Sequence, residues 1–261
     1  MKQNRLVIFA VAALLVLLTG VLSAQEENVL RVNWSGGGDI PSLDPSLATD
    51  VSSIQVIIEL FPALTRINNV SLETEPGMAT WEVSEDGLVY TFDIIEDVPW
   101  VKYNAETGEV EQVLDDEGNV RFVTANDFID GMVRSMDPRN GSYYGGILSN
   151  WVAGGDALNA SIDDASEDAS DDELAELVSA TVGGVQAVAV DDYTLEITIS
   201  QSAGFVPQIL GLWMATAQPL WVIEEFGDLW TEPENIVSFG PFTLSEWVNG
   251  ESLTIVRNPF W

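Results

Sequence analysis

Among the 261 residues there is no His and no Cys, while Asp and Glu number 42. That inventory removes thiolate nucleophiles, His-based triads, disulfides and most zinc and copper sites. What remains for chemistry is carboxylates, hydroxyls, amides and Lys102, the only lysine besides Lys2. Two carboxylates about 5 or 6.5–9.5 Å apart would suffice for glycoside hydrolysis, with tryptophans stacking on the sugar. With so many acids, however, close pairs arise by chance, and the pattern alone carries little weight. The acidic run from Asp163 to Glu173 holds seven acids in eleven residues but lacks the alternating ligands and central Gly of a calcium loop. It reads as a solvated loop and helix start, so neither a metal nor another cofactor is expected. Three glycines, Gly36, Gly37 and Gly38, precede Asp39 and would let a backbone approach a ligand; they lack the spacing of a phosphate loop and no Lys follows them. Arg134 and Arg139 read as surface ion-pair partners rather than as ligand anchors.

The elements that would position these groups are mixed. Val29–Trp34 reads as a strand leading into the glycine turn, and Leu88–Ile95 alternates Leu88, Tyr90, Phe92 and Ile94 on one face after the turn Glu85-Asp86-Gly87. Ile54, Ile57, Ile58 and Phe61 have helical spacing behind Ser52 as N-cap. A second helix is expected from Thr124, with Asp127 completing a capping-box-like start, Phe128, Met132, Val133 and Met136 as its apolar face, and Asp137-Pro138 as its end. Residues 102–121 are polar and read as a long hairpin or loop. Two hairpins follow, Val185–Val190 with Thr194–Ile199 and Phe242–Trp247 with Ser252–Val256, the second turning at Asn249-Gly250. Val206–Leu212 and Leu220–Phe226 are short helix candidates between them.

The first 24 residues stand apart. Lys2 and Arg5 precede the uncharged run Leu6–Ala24, the pattern of a secretory leader with cleavage after Ala24; an uncleaved membrane anchor is the alternative. No Cys follows the run, so a lipoprotein anchor is excluded. Residues 25–261 then carry all 42 acids and seven bases, a net charge of −35. Such a surface keeps a protein soluble and monomeric by self-repulsion, fits a high-salt setting, and argues against nucleic acid and anionic lipid as partners.

The segment Pro76-Gly77-Met78-Ala79-Thr80-Trp81-Glu82-Val83-Ser84-Glu85-Asp86-Gly87-Leu88-Val89-Tyr90-Thr91-Phe92, with Trp100 after it, resembles the signature of the family 5 extracellular solute-binding proteins, receptors for oligopeptides, dipeptides and nickel in bacterial ABC importers. Further pieces match in order: Ser42-Leu43-Asp44-Pro45, Thr124–Phe128 with Asp137-Pro138, the Val185–Ile199 hairpin, and Phe239-Gly240-Pro241-Phe242 with Glu246-Trp247 and Arg257–Trp261. Residues 101–123 depart from the pattern by being longer and acidic.

The resemblance implies an α/β, periplasmic-binding-protein-like fold of type II with an extra inserted domain. Residues 29–47 and 185–261 would form the first lobe and 48–184 the insertion, with a second lobe expected beyond Trp261. It implies an extracytoplasmic, non-enzymatic receptor that delivers a small solute, a peptide first of all, to ABC permease subunits, as a monomer. The alternatives are an exported carboxylate-dependent glycoside hydrolase and a carbohydrate-binding surface protein. In such receptors the stretch after the first strand lies at the cleft and can pair edge-on with ligand backbone; here that is Gly38, Asp39, Ile40 and Pro41. Trp213, Met214, Phe239 and Gly240 are further ligand-binding candidates, Trp213 being also a candidate core residue. A single lobe would leave the face meant for the second exposed, so weak ligand clamping and association through that face are expected.

Overall fold

The computed structural model describes residues 30–31 and 40–261. The leader, most of the expected strand Val29–Trp34, and Gly36–Asp39 lie outside the described residues.

Helix α1, Val51–Leu60, starts on Asp50, whose carboxylate accepts from the Ser53 N–H at 2.9 Å. The cap is therefore Asp50 and not Ser52. The expected face holds in part: Ile57 and Phe61 are buried together with Ser53, Val56 and Leu60, Ile54 is half-buried, and Ile58 is exposed. The hairpin β1 (Thr65–Ile67) and β2 (Thr74–Pro76) follows, then β3 (Ala79–Val83) and β4 (Val89–Ile94). Ser84 Oγ accepts from Val89 N–H and donates to Asp86, and Gly87 takes φ +72, which together make the β3–β4 turn. Tyr90, Phe92 and Ile94 are buried, as their period-2 spacing requires.

β4 also pairs with β8 (Thr194–Thr198), which pairs with β7 (Ala187–Ala189), giving an antiparallel sheet in the order β3-β4-β8-β7. Phe92 stands opposite Leu195, and Tyr90 opposite Ile197, all buried. This sheet joins strands from both sides of the expected boundary at 184–185, and residues 40–261 pack as one unit. The polar stretch after Trp100 forms the hairpin β5 (Val101–Asn104) and β6 (Glu109–Gln112).

Helix α2, Ala125–Met136, runs as expected, with Phe128, Met132 and Met136 fully buried. At its start the Asp127 carboxylate accepts from both the backbone N–H and the hydroxyl of Thr124, at 2.7 and 2.9 Å. Short helices α3 (Gly145–Trp151) and α4 (Gly155–Asn159) lead to α5, Asp171–Val182, capped by Ser170 and Glu173 in the acidic run. Next come α6 (Val206–Ile209), a 3-10 turn at Trp213–Ala215, α7 (Leu220–Phe226), and the hairpin β9 (Phe242–Val248) and β10 (Ser252–Arg257). Among the described residues no helix is long and apolar enough to cross a membrane.

An aromatic core sits between α1, α2 and β5. Phe239 packs edge-on against Phe61, Trp100 and Phe128, with ring centroids 6.1, 4.9 and 6.3 Å apart. Its backbone is fixed too: the N–H groups of Phe239 and Gly240 both donate to Leu60 O, a carbonyl the end of α1 would otherwise leave unpaired. A Cβ on Gly240 would collide with Glu59 O, so only glycine lets the segment before β9 cross the helix end so closely.

Candidate functional site: a buried polar junction beside Trp213

The segment after Ile40 turns sharply. Ser42 Oγ accepts from Asp44 N–H, and Asp44 O accepts from the N–H groups of Leu47 and Ala48. The Asp44 carboxylate points inward, its side chain only 6% exposed, into a set of donors. Arg134 on α2 grips it with two parallel bonds, each 2.7 Å. Ser46 N–H donates to Oδ1 at 2.8 Å and the Trp230 indole to Oδ2 at 3.0 Å. Every oxygen is satisfied twice, and this is what makes a buried carboxylate tolerable. Arg134 is therefore not a surface pair: its side chain is 13% exposed, against 39% for Arg139, which pairs with Asp137 nearer the solvent as expected.

A second chain of bonds runs beside the first. Gln218 Oε1 accepts from Arg134, and its Nε2 donates to Ser46 Oγ at 2.9 Å. Ser46 Oγ lies 2.8 Å from Ser135 Oγ, and Ser135 Oγ donates to Met214 O at 2.8 Å. Met214 O can only accept, so the Ser135 hydroxyl donates to it; the Ser46 hydroxyl has two acceptors in reach, Ser135 Oγ and Gln218 Oε1 at 3.2 Å. Nearby, the Trp213 indole donates to Ala48 O at 3.1 Å, and its ring meets Tyr144 edge-on at 5.1 Å. Tyr144 in turn meets the exposed Tyr143. A Cβ on Gly131 would strike Thr216 O, so glycine lets α2 approach the 213–218 segment directly.

The expected site residues divide accordingly. Trp213 and Met214 take part in the junction through Ala48 O and Ser135, while Ile40 and Pro41 stand at the start of the pinned turn; Pro41 is exposed, Trp213 half-buried, Ile40 and Met214 buried. Phe239 and Gly240 belong to the aromatic core, both buried, and reach the junction only through Phe61 and Trp230, whose rings lie 6.0 Å apart. Gly38 and Asp39 lie outside the described residues. Asp44, Ser46, Ser135, Gln218 and Trp230 were not expected in a polar cluster. Only Asp44, within Ser42–Pro45, carries any local signal, since its partners Arg134 and Trp230 stand 90 and 186 positions from it.

Acid chemistry finds no matching arrangement. Burial pushes the Asp127 carboxyl up to about 6 against the opposing bonds from Thr124. That carboxyl, however, caps α2 and takes a further bond from Trp100. Burial also raises Asp130, as does the nearby Glu224. Among the described residues no group of three acids converges closely enough to hold a metal ion.

Comparison with known proteins agrees with the fold. The sequence pattern of the bacterial extracellular solute-binding proteins, family 5, matches residues 73–261. The periplasmic oligopeptide-binding protein OppA of Escherichia coli is 30% identical over 245 residues, 93% of this chain and 38% of that protein. The probable deoxycholate-binding periplasmic protein YgiS of the same organism is 28% identical over 234 residues, 89% of this chain and 37% of its own. The crystal structure of a periplasmic oligopeptide-binding protein, OppAIV of Borrelia burgdorferi, superposes with a TM-score of 0.68 at 23% identity, over 86% of this chain and 38% of that one. The chain thus spans a little over a third of the length of these proteins, and within that span the fold is theirs. It belongs to the bacterial extracellular solute-binding proteins of family 5.

Proposed function

We propose that the protein is an exported, monomeric, non-enzymatic receptor that binds a small solute, a peptide first of all, and delivers it to ABC permease subunits. The observation that carries this reading is the junction itself. Two chain segments 165 positions apart, Ile40–Ala48 and Trp213–Gln218, are held side by side, and Trp213 is bonded to Ala48 O. Pro41 and Trp213 would face the ligand, as would Gly38 and Asp39 before them. Met214, Phe239 and Gly240 would support that face from behind, since their side chains or backbones are buried. Relatives named for oligopeptides support a backbone-pairing ligand, and the relative named for deoxycholate supplies the rival apolar one. Hinge closure over the ligand is the mode by which such receptors signal.

A glycosidase has less support. Its acid needs a raised pKa and a free cleft position, and Asp127, the carboxyl raised to about 6, is occupied as a helix cap.

A thermal-shift screen of the full-length protein against tetra-alanine, deoxycholate, a cello-oligosaccharide and Ni²⁺ tests the reading. A ligand that binds only the folded state raises the midpoint with concentration. Tetra-alanine should stabilise. Stabilisation by deoxycholate alone would move the ligand class, and turnover of a glycoside without stabilisation by any of the four would overturn the receptor reading.

A further inference from the structure

We infer that Arg134 and Gln218 are positioning residues: they fix the register between the Ile40–Ala48 segment and the Trp213–Gln218 segment before any ligand arrives. The inference rests on the receptor reading for its consequence, ligand binding, but not for the register itself.

Three observations carry it. First, the four bonds on Asp44 come from α2, from Trp230 and from its own turn, so one carboxylate ties three parts of the chain. Second, the Gln218–Ser46–Ser135–Met214 chain joins both segments to α2 through buried groups at hydrogen-bonding distance, Gln218 meeting Ser46 Oγ with both its amide nitrogen and its oxygen, so sliding either segment would unmake its bonds. A shift of the first segment by one residue would break both sets at once and leave a buried charge without partners; a shift of the second would break the Arg134–Gln218 bond and the chain through Ser46, leaving a buried amide without partners. Third, Gly131 lets α2 touch the backbone at Thr216, so the helix bearing Arg134 and Ser135 is held at a fixed distance from the second segment. An apolar cluster in the same place would bind the segments together but would tolerate sliding, because dispersion and burial have little direction. The buried ion pair is thus better explained by register than by net stability, to which such pairs add little. Its effect on a ligand would be preorganisation: the Ile40–Pro41 backbone and the Trp213 ring would already stand at a set spacing, and binding would not have to order them.

Amide hydrogen exchange on the full-length protein tests this with Arg134→Lys, which keeps the charge but not the two-toothed grip, and Gln218→Met, which keeps volume but not the relay. In the ligand-free variants, exchange across residues 42–48 and 213–218 should rise by about tenfold or more beyond whatever rise the β4 and β8 amides show. Tetra-alanine affinity should fall about fivefold or more in both variants. Should Arg134→Lys fail to fold, Gln218→Met and Ser135→Ala carry the test. Unchanged exchange in the two segments, or a rise shared equally by β4 and β8, would overturn the inference, because either means a merely structural pair. If variants and wild type bind tetra-alanine equally well, the positioning role fails and the receptor reading stands. If the wild type binds no tetra-alanine while exchange is selective, the peptide reading fails and the register role stands.

Discussion

Trp230 stands between two regions built on opposite principles. Its ring packs edge-on against Phe61 in the aromatic core around Phe239, and its indole N–H reaches the carboxylate of Asp44 in the polar junction. The core is held by area and shape, through Phe61, Trp100, Phe128 and Phe239. Many side chains of similar volume could fill it, because burial is not directional. The junction is held by a few bonds of fixed direction, and none of its members has a substitute of the same geometry. The first region stabilises; the second aligns. That difference explains why ligand-facing candidates sit at the junction while Phe239 and Gly240, one shell deeper, close off the end of α1.

Conservative substitutions separate the two most sharply. Arg134→Met strands the Asp44 carboxylate in the interior and should cost about 3–5 kcal/mol in urea unfolding, and Phe239→Ala should cost about as much by leaving a cavity. The milder pair breaks the symmetry: Phe239→Leu should forfeit only about 1–2 kcal/mol, whereas Arg134→Lys should lose most of what Arg134→Met loses, because an ammonium cannot reproduce the paired grip. If Arg134→Lys proves as mild as Phe239→Leu, the junction is ordinary packing with charges attached.

Asp127 provides a test through pH. Its carboxyl is raised from 3.8 to about 6, mainly by burial, so between these values the folded state holds a proton that the unfolded state has released. Stability from this group is therefore complete below pH 3.8 and declines as pH rises to about 6, by up to about 3 kcal/mol. Relative to Asp127→Asn, the wild type should lose stability over that interval; a flat difference curve would show that the caps from Thr124 and Trp100 offset burial fully. The smallest effect belongs to the periphery. Ser170→Ala removes the cap of α5 at the acidic run and should cost about 1 kcal/mol, with no change in exchange at residues 42–48; a loss there would tie this helix to the junction.

How much of this was legible depended on how local its cause is. β4, α2, α7 and the two C-terminal hairpins follow from spacing and turn chemistry within a dozen residues, and they form where expected. The start of α1 lies two residues before the expected one because Asp50 and Ser52 can both cap. The pairing of β4 with β8 was not legible, since alternation specifies a face but not a partner. Of the residues singled out by resemblance, Trp213 and Met214 take part in the polar junction through Ala48 O and Ser135. The bonds that bring them together were invisible, because Arg134 looks the same in sequence whether it faces water or grips a buried Asp44. Phe239 was visible as an aromatic before a hairpin, and nothing local showed that three rings enclose it.

The most direct test of the whole picture is amide hydrogen exchange of the full-length wild-type protein with and without saturating tetra-alanine. Slower exchange in 40–48 together with 211–218, and no change in β3, β4, β7 and β8, is the expected result. Tetra-alanine binding that protects neither segment, or protects the four-stranded sheet instead, would contradict it.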